Sequence, residues 1–466
     1  MKNKYFFLLL ISALSFGQIS LVKDINNGTG NSSPENLIFF NNKIYFGADD
    51  ATGTNSPGAV DLGKELWVTD GTTTGTTFVK DLRPGSNNSS PTGFFSYNSN
   101  LYFSANTGSG NVLFKTDGTE SGTVATGNSF IFNPAEFNGL VYYVNTVDFN
   151  RLYEFNGTTT VKVADVGTGV ESVTGGIFMP FNNKIFCYMS YTTDALGLKL
   201  YAYDPANDTF TLIKNITDYG TNAGISNFTV VGSELYFEAG AGILWKTDGT
   251  TAGTVAVTAA ASLTGATSLF NWNGKLYFEA DNGTSGDQLW VYDPAANTIT
   301  NLSNITGDHN PSDYTVLNSY LYYSGQNGTL KYLYRTNGTI IERVDDTIFD
   351  IDNIAVLNGK LFFKGDNGTT GNELFTYTPP VLSVDDNNVL KSVAVYPNPS
   401  DGNIFINNAD NETIQYEVFD VLGKKQAAGK TNDNSLHLNL KTGLYILKLT
   451  KNSQTSTSKI IINSFQ

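Results

Sequence analysis

The chain has 466 residues and a formal net charge of -15, and 40% of its residues are hydrophobic. This length and composition allow a large buried core, which excludes general disorder, and the acidic balance excludes a nucleic-acid partner because phosphate binding requires many lysines and arginines. One cysteine, Cys187, and two histidines exclude an internal disulfide bond and a zinc site built from paired Cys or His.

The first element along the chain is an export signal. Two lysines precede an apolar run at residues 5–14, and the small residues Ser15 and Gly17 lie at the -3 and -1 positions of a cut before Gln18. This order is typical of a secretory signal peptide, so we predict that residues 1–17 are removed by cleavage between Gly17 and Gln18. The run is too short to anchor the mature chain, and no later stretch approaches about eighteen apolar residues, so we predict no transmembrane helix in the mature chain.

Charge divides the mature chain into two predicted domains. Residues 385–466 hold eight basic and eight acidic residues, whereas residues 18–384 carry a net charge of about -17. A Pro-Pro pair and a polar stretch after it are typical of a linker. We therefore predict a first domain at 18–378, a linker at 379–392 and a second domain at 393–466.

The first predicted domain is a repeat. A short aromatic strand recurs eight times at intervals of 40 to 57 residues, and each copy follows a turn dipeptide rich in Asn, Gly or Ser. The central aromatic residues are Tyr45, Tyr102, Tyr142, Phe186, Tyr236, Tyr277, Tyr322 and Phe362. Asn and Gly tolerate the positive φ of tight turns, so each copy predicts a β-hairpin. A period near 45 residues is typical of propellers and solenoids.

A second hairpin follows each aromatic strand by about twenty residues. In the clearest copies a strand runs into an Asp-Gly turn, at Asp70, Asp117 and Asp248. Each repeat therefore has four predicted strands and no helical periodicity, which is the pattern of one propeller blade.

The two ends of this domain predict how it closes. The eighth copy supplies three strands, and the segment 20–25 resembles the fourth strand of the first copy at 77–82. The N-terminal strand therefore completes the last blade and leaves no open edge between the ends. We predict an all-β fold: an eight-bladed β-propeller closed by the N-terminal strand and followed by a small β-sandwich. A seven-bladed ring with one degenerate copy, near Tyr142, is the alternative.

The blade motif also resembles a family of exported bacterial repeats. Residues 65–76 match its pattern of Glu-Leu-Trp, two residues, Asp-Gly-Thr, two residues and Gly-Thr. Residues 113–123 and 244–254 match it with a changed first residue, whereas 200–205 and 289–294 look like kelch blades. The resemblance implies a propeller and no particular activity.

Four short sequence blocks fill the last 75 or so residues. The residues that define them are Tyr396, Pro397, Asn398, Pro399, Gly402, Asp420, Gly423, Gly443 and Tyr445. They predict short strands broken by turns, as a small β-sandwich requires. The blocks resemble the type A C-terminal sorting domain of the type IX secretion system. That resemblance implies export by this machinery, removal of the domain by a sortase-like protease, and release or attachment to surface lipopolysaccharide. The alternative is a carbohydrate-binding sandwich that stays on the protein.

The sequence contains no set of catalytic, cofactor-binding or metal-binding residues that we can assign. His309 and His437 fall in different predicted domains, and Cys187 lies in an apolar strand, where we predict a buried and inert thiol. Four carboxylates recur at matching loop positions, namely Asp281, Asp287, Asp366 and Glu373. Their recurrence predicts turns or blade contacts rather than catalysis. Ca²⁺ on these oxygens is an open alternative, although the twelve-residue calcium loop is absent.

The tryptophans and one loop insertion are the remaining candidates for functional residues. Trp67, Trp245 and Trp290 share one strand position and are predicted to pack in the core, whereas Trp272, beside a turn, is predicted to be exposed. The longest irregular insertion, 49–63, is the first place to look for a functional loop.

The sequence leaves two main hypotheses for the function. We favour a secreted or surface-displayed propeller that binds or adheres to an extracellular glycan or protein, because the scaffold is exported and no catalytic set was found. The alternative is a glycoside hydrolase or polysaccharide lyase that uses carboxylates in the propeller channel. A purely structural surface-layer role is a third hypothesis.

Overall fold

The computed structural model describes residues 17–129, 131–145, 148, 151–163, 171–172, 178–191, 198–216, 224–240, 242–380, 395–406, 412–420, 424–451 and 454–463. These residues divide into two compact units, one within Phe16–Pro379 and the other within Pro380–Gln466. Residues 1–16 of the predicted signal peptide and 381–392 of the predicted linker lie outside the described residues. Within the described ranges, no helix is long and apolar enough to cross a membrane.

The first unit consists of eight antiparallel sheets and two short 3-10 helices, Pro57–Ala59 and Thr258–Ala260. The N-terminal strand β1 (Gln18–Lys23) belongs to sheet 8. Sheet 1 contains β2 (Glu35–Phe40), β3 (Lys43–Asp49), β4 (Lys64–Thr69) and β5 (Thr77–Lys80), and sheet 2 contains β6 (Thr92–Tyr97), β7 (Asn100–Asn106), β8 (Asn111–Thr116) and β9 (Val124–Ser129). Sheet 3 contains β10 (Phe132–Phe137), β11 (Leu140–Asn145), β12 (Arg151–Phe155) and β13 (Thr160–Lys162). Sheet 4 contains β14 (Glu171–Ser172), β15 (Met179–Phe181), β16 (Lys184–Tyr191), β17 (Leu198–Asp204) and β18 (Thr209–Ile216). Sheet 5 contains β19 (Ile225–Val231), β20 (Glu234–Ala239), β21 (Ile243–Thr247) and β22 (Val255–Ala256), and sheet 6 contains β23 (Thr264–Trp272), β24 (Lys275–Asp281), β25 (Asp287–Asp293) and β26 (Thr298–Asn301). Sheet 7 contains β27 (Ser312–Leu317), β28 (Tyr320–Asn327), β29 (Leu330–Thr336) and β30 (Ile341–Arg343). Sheet 8 contains β31 (Phe349–Leu357), β32 (Lys360–Asp366) and β33 (Asn372–Thr378), together with β1.

Strands that follow one another in the chain are neighbours in their sheet, except that β14 and β15 of sheet 4 both pair with β16, and no sheet closes on itself within the described residues. Tight turns join consecutive strands into hairpins. The predicted turn residues Asn41 and Asn42, for example, have φ values of 48° and 58°, as a two-residue hairpin turn requires. In sheet 8 the outermost place is taken by β1, which pairs with β33 from Gln18 opposite Thr378 to Lys23 opposite Leu374. The predicted pairing of the N-terminal strand with the last sheet is therefore present.

Apolar side chains hold neighbouring sheets together. We call β2, β6, β10, β15, β19, β23, β27 and β31 the first strands, although the two-residue β14 precedes β15 in sheet 4. Each contacts the first strand of the next sheet, and β31 contacts β2. Eight clusters of buried hydrophobic residues each draw on two consecutive sheets, and one of them joins Leu374 and Phe362 of sheet 8 to Trp67 and Phe46 of sheet 1. Burial of apolar surface between sheets therefore stabilises the whole unit.

Lysines at matching positions add a polar bond between sheets. Lys80, at the end of β5, donates from Nζ to the Thr123 carbonyl of sheet 2 at 2.7 Å. Lys23, at the end of β1, donates in the same way to the Thr76 carbonyl of sheet 1 at 3.0 Å. Sheet 8 is thus bound to sheet 1 as sheet 1 is bound to sheet 2.

The second unit has two antiparallel sheets that share one apolar core. One sheet contains β34 (Val395–Tyr396), β35 (Asn403–Ile406) and β38 (Ser435–His437). The other contains β36 (Ile414–Asp420), β37 (Lys425–Thr431), β39 (Gly443–Lys451) and β40 (Gln454–Ile462). The core residues include Ile404 and Leu436 from the first sheet and Val418 and Leu447 from the second.

Candidate functional site

Two buried glutamates at the start of third strands hold the connections between sheets. Glu65 accepts hydrogen bonds from the backbone N–H of Leu82 and from both the N–H and the hydroxyl of Ser89. Glu373 binds the segment 25–32 in the same way, through three backbone N–H groups and a serine hydroxyl. Burial raises the pKa of each carboxyl group to about 7, against these hydrogen bonds. The role of Glu373 is therefore structural, as its recurrence predicts.

Two of the other three recurrent carboxylates, those of Asp281 and Asp366, close turns. Asp281 accepts a hydrogen bond from the Gly283 N–H at 2.8 Å, and Asp366 accepts one from the Gly368 N–H at 2.6 Å. The backbone carbonyl of Asp287 accepts a hydrogen bond from the N–H of His309. In the part of the chain that the structure describes, no group of three or more His, Cys, Asp or Glu residues is arranged to hold a metal ion.

The tryptophans are all buried. Trp67, Trp245 and Trp290 are 0%, 5% and 9% exposed and lie in the core as predicted. The predicted exposure of Trp272 is wrong, since this residue is 7% exposed and its ring lies 5.4 Å from that of Tyr277. Trp272 ends β23, where the side chain enters the cluster between sheets 6 and 7. Cys187 is buried as predicted, and burial raises the pKa of its thiol.

The irregular insertion 49–63 lies against the connection between β1 and β2. The Asn55 side chain donates to the carbonyls of Asp24 and Ile25, at 3.0 and 2.8 Å. The Thr52 N–H donates to the side-chain oxygen of Asn26 at 3.2 Å. These contacts give the insertion a structural role in holding the N-terminal segment.

The first strands share a feature that the sequence analysis missed. In sheets 1–3 and 5–8 each of them has a β-bulge with a residue at positive φ four positions before the strand ends, and we call these residues the bulge row. Strands β23 and β31 have a second bulge, with Gly265 and Asp350 at positive φ. The members of the bulge row are Asn36, Gly93, Asn133, Asn227, Ser268, Asp313 and Asn353. Two of them link sheets directly: Asn353 Oδ1 accepts a hydrogen bond from Asn36 N–H at 2.8 Å, and Asp313 Oδ1 accepts one from Asn353 N–H at 3.3 Å. Bulges re-aim side chains and are common beside functional sites.

A group of charged side chains lies beside the bulge row on sheets 6 to 8. We call Asp313, Asp352, Lys364, Lys331 and Glu279 the polar cluster. Asp352 lies opposite Lys364 in the sheet and accepts a hydrogen bond from its Nζ at 2.9 Å. Burial and a hydrogen bond to Asp352 raise the pKa of Asp313 to about 6. Burial acts to raise the pKa of Asp352 as well, but hydrogen bonds from Lys364 and Asp313 outweigh it and lower that pKa.

The remaining members of the polar cluster are electrostatic neighbours. Burial raises the pKa of Glu279 to about 7, with a further contribution from Asp287, while Lys331 acts to lower it. Lys331 also acts to lower the pKa of Asp352. Lys331 on sheet 7 therefore lies within electrostatic range of a carboxyl group on sheet 6 and of another on sheet 8.

This arrangement limits the chemistry of the polar cluster. Asp313 and Asp352 share one proton below about pH 6, because the hydrogen bond between them favours protonation of Asp313. In that pH range the pair can donate a hydrogen bond to a ligand hydroxyl and accept one from it. Carboxyl groups that are hydrogen-bonded to each other lie closer than the roughly 5 Å between the acid and the nucleophile of a retaining glycosidase, so Asp313 and Asp352 do not fit those two roles.

Phe39 lies three residues beyond the bulge on β2 and borders two cavities. Its side chain is 50% exposed, which is unusual for an aromatic residue of a first strand. A cavity of about 410 Å³ on one side, the Phe39 pocket, is lined by Asn41, Ser96, Asn98, Ser99 and Glu136 as well as Phe39. A second cavity of about 520 Å³ is apolar and is lined by Leu37, Ile354 and Val356 among others. The Phe39 pocket thus combines one half-exposed aromatic ring with polar side chains from sheets 1, 2 and 3.

In the second unit, the structure explains why the sorting motif has Asn at position 398 and Gly at position 402. The Asn398 side chain donates to the Lys459 carbonyl at 2.7 Å and accepts from the Ile461 N–H at 2.8 Å, as a neighbouring strand would. The peptide bonds before Pro397 and Pro399 are cis. Gly402 has a φ of 104°, and a Cβ there would lie 2.4 Å from the Leu438 carbonyl oxygen.

The other sorting-motif residues close turns or lie on the surface. The Asp420 side chain accepts hydrogen bonds from the Lys424 N–H and the Gln426 amide, at 3.0 and 2.7 Å. The Tyr445 hydroxyl donates to the Lys441 carbonyl at 3.0 Å, and a Cβ on Gly443 would approach the Tyr445 ring to 3.4 Å. The rings of Tyr396 and Phe405 stack at 5.9 Å and are 53% and 50% exposed. Gly423 lies outside the described residues.

Residues 394–463 match the family described as the secretion system C-terminal sorting domain. One relative, the ulvan lyase NLR42 of Nonlabens ulvanivorans, is 38% identical over 89 residues. The aligned segment makes up 18% of this chain and 16% of that protein.

Three solved structures are similar to this chain at low sequence identity. The computationally designed Ika8 protein is 12% identical, with a TM-score of 0.46, and the match covers 77% of this chain and 99% of that one. A puromycin hydrolase is 10% identical, with a TM-score of 0.43 and coverage of 76% and 61%. A prolyl endopeptidase is 10% identical, with a TM-score of 0.41 and coverage of 92% and 56%.

The sorting domain indicates that the type IX secretion machinery handles this chain. The chain carries a type IX C-terminal sorting domain at residues 394–463 and is a secreted protein.

Proposed function

We propose that the first unit is a closed eight-bladed β-propeller in which each sheet is a blade and β1 completes the eighth. Three features support this arrangement. The eight clusters join consecutive sheets, including the last and the first. Lys23 repeats the bond that Lys80 makes, and the Asn353 side chain binds the Asn36 backbone from sheet 8 to sheet 1. Electron-microscopy class averages down the propeller axis should show eight densities, and seven would overturn the proposed count.

We further propose that this propeller is a binding module for an extracellular glycan or protein, either secreted or displayed on the cell surface. The observation that carries the proposal is variation at one repeat position, directly before the bulge. In sheets 1, 2, 5, 6, 7 and 8 this position holds Glu35, Thr92, Ser226, Thr267, Ser312 and Asp352. Residues that recur, such as Glu65 and Glu373, hold the repeats together. The side chains at the position before the bulge instead vary among Glu, Asp, Ser and Thr, and they lie on first strands that contact one another. Repeat scaffolds build specific binding surfaces from such variable positions.

The binding function is tested on the full chain with a glycan array and with immobilised extracellular proteins. We expect at least one polymer to be retained, and we expect the double variant D313N/D352N to change its affinity. Asp70 is a matched control, because it is an exposed carboxylate that only closes a turn with Thr72. D70N should bind like the unmodified chain. Failure of the unmodified chain to retain any polymer would contradict the proposal.

A polysaccharide lyase or hydrolase is the second candidate function. It is favoured by the Asp313–Asp352 pair, since an acid with a raised pKa near a lysine can protonate a departing sugar oxygen. The similarity of an 89-residue segment to an ulvan lyase adds weak support. The spacing of the pair argues for a lyase or for a partner carboxylate elsewhere, because the two groups are too close to flank a glycosidic bond.

The second candidate is tested by incubating the full chain with ulvan and a panel of neutral and acidic polysaccharides. Elimination would appear as ultraviolet absorbance of an unsaturated product, and hydrolysis as new reducing ends without that absorbance. D313N should abolish either activity, and D70N should leave it unchanged. A chain that binds a polymer but never shortens it would exclude this candidate and leave the binding function in place.

We also propose that a sortase-like protease removes the second unit after export, and that the first unit is then released or attached to lipopolysaccharide. The sorting domain supports this proposal. Mass spectrometry of the extracellular product should find no peptides from 395–463, and a lipid-linked fraction should appear at the cell surface if attachment occurs. Recovery of the intact chain outside the cell would contradict tail removal.

A further inference from the structure

We infer that the Phe39 pocket is a binding subsite for one ring of a neutral sugar. The inference rests on the proposed binding function and assigns that function a place and a ligand class. The Phe39 ring is 50% exposed and borders a cavity of about 410 Å³, which falls within the usual range for small-molecule sites.

The polar lining of the pocket is free to bind a ligand. Within the described ranges, the side chains of Asn41, Ser96, Asn98, Ser99 and Glu136 make no hydrogen bond or ion pair with another residue. Amide and hydroxyl groups donate and accept hydrogen bonds, and a carboxylate accepts them. A pyranose ring has an apolar C–H face and a rim of hydroxyl groups. The half-exposed phenyl ring matches the first, and the unpaired polar groups match the second.

The charges around the pocket select a neutral sugar over an acidic one. Lys, Arg and His are absent from the described lining, and Glu136 supplies a negative charge. The whole chain carries a net charge of -15, which repels polyanions at a distance. A uronate or sulfated ring would therefore face an uncompensated carboxylate, whereas the hydroxyl groups of a neutral ring can donate to it.

The rigid setting of the pocket favours binding. Its residues lie on the first strands of sheets 1 to 3 and on the turns that follow β2 and β6. The Asn98 and Ser99 turn has φ values of 46° and 59°, and the Tyr97 hydroxyl donates a hydrogen bond to the Gly139 carbonyl of the next sheet. Groups that are fixed before binding lose less entropy when a ligand arrives.

Substitution of Phe39 by Trp provides a direct probe. The four native tryptophans are at most 9% exposed, so a tryptophan in F39W would be the one at a solvent-facing position. The full chain is titrated with neutral β-glucan, α-glucan and mannan oligosaccharides, and with alginate oligosaccharides as the acidic probe. Binding is followed by saturation-transfer NMR for the unmodified chain and for F39A, and by tryptophan emission for F39W.

We expect at least one neutral probe to bind, F39A to weaken that binding tenfold or more, and F39W to bind with a shift in emission. Phe405 gives a matched control, because it is also a 50% exposed phenylalanine but lies in the second unit. F405A should bind like the unmodified chain. Equal binding by F39A and the unmodified chain would overturn the subsite and leave the binding function standing.

Two other results separate the two proposals. Binding of alginate alone, with loss in F39A, would place a ligand at Phe39 but overturn the neutral class. If the unmodified chain retains no glycan and no extracellular protein, both the binding function and the subsite are overturned. Thermal unfolding of each variant, followed by circular dichroism, identifies an F39A protein that fails to fold, and F39W then decides the question.

Discussion

Asp313 carries a proton whose loss should be visible in the stability of the first unit. Burial, with a contribution from Asp352, raises its pKa from 3.8 to about 6. The folded chain therefore holds this proton more tightly than the unfolded chain. The resulting stabilisation is complete below about pH 4 and is lost as the pH rises through about 6.

We expect D313N to gain stability over the unmodified chain as the pH increases from 5 to 8. The gain should be on the order of 1–3 kcal/mol, because a shift of one pKa unit corresponds to about 1.4 kcal/mol. Denaturant unfolding at several pH values measures it. Asp70 is the control, since a hydrogen bond from Thr72 lowers its pKa and it stays ionised over this range. An equal pH response of D313N and D70N would contradict the assignment.

Gly402 is a single residue on which the sorting domain depends. Its φ of 104° is rarely adopted by residues with a Cβ, and a Cβ there would lie 2.4 Å from the Leu438 carbonyl oxygen. G402A should therefore destabilise the second unit by about 2–4 kcal/mol. We expect a lower melting temperature for this unit in the full chain and less protein outside the cell.

Gly443 supplies the control for this prediction. A Cβ at Gly443 would approach only the Tyr445 ring, at 3.4 Å, which is an ordinary contact. G443A should therefore lower stability and export much less than G402A. Equal export of G402A and the unmodified chain would show that the turn at 402 is not required for handling of the sorting domain.

Substitutions of Asn353 test whether the bulge of β31 contributes to the stability of the first unit. It has a φ of 56°, and its side-chain oxygen accepts a hydrogen bond from the Asn36 N–H in sheet 1. N353G keeps a residue suited to positive φ and loses only the hydrogen bond, so we expect a loss of about 1 kcal/mol. N353A also places a Cβ residue at this φ and should lose a further 1 kcal/mol or so. Chemical denaturation of both variants measures the difference, and equal stabilities would contradict a role for the bulge conformation.

The strands could be predicted because they depend on local signals. Turn dipeptides such as Asn41-Asn42 marked each hairpin, and the similarity of 20–25 to 77–82 indicated the pairing of β1 with β33. The exposure of Trp272 was predicted wrongly from its neighbouring turn. Its environment depends on Tyr277 and on the adjacent sheet 7, and a local pattern does not report contacts between sheets.

The polar cluster and the Phe39 pocket escaped prediction for the same reason. Asp313 and Asp352 are far apart in sequence and do not recur, so no repeat comparison singles them out. They meet because β27 and β31 are in contact. One signal was present in the sequence: Asn, Asp, Gly or Ser lies four residues before the end of the first strand in sheets 1–3 and 5–8, as a residue at positive φ requires.

The first unit, taken as one body, should unfold cooperatively if its sheets form a ring. In a linear array, each sheet interacts only with its neighbours, and the end sheets fray first. In a closed ring no sheet is terminal, so the N-terminal segment contributes as much to global stability as an internal one. Ile25 and Leu82 allow a comparison, because both follow the Lys-Asp pair of an outermost strand and are 0% and 6% exposed.

We expect I25A and L82A each to destabilise the whole first unit by about 2–4 kcal/mol, because each leaves a cavity in a cluster between two sheets. Ile25 packs between sheets 8 and 1, and Leu82 packs between sheets 1 and 2. Chemical denaturation should give one transition that shifts to a similar extent in both variants, and amide hydrogen exchange should accelerate across all eight sheets. If I25A instead loosens only β1 and leaves the main transition unchanged while L82A shifts it, the sheets behave as an open array and the ring is wrong.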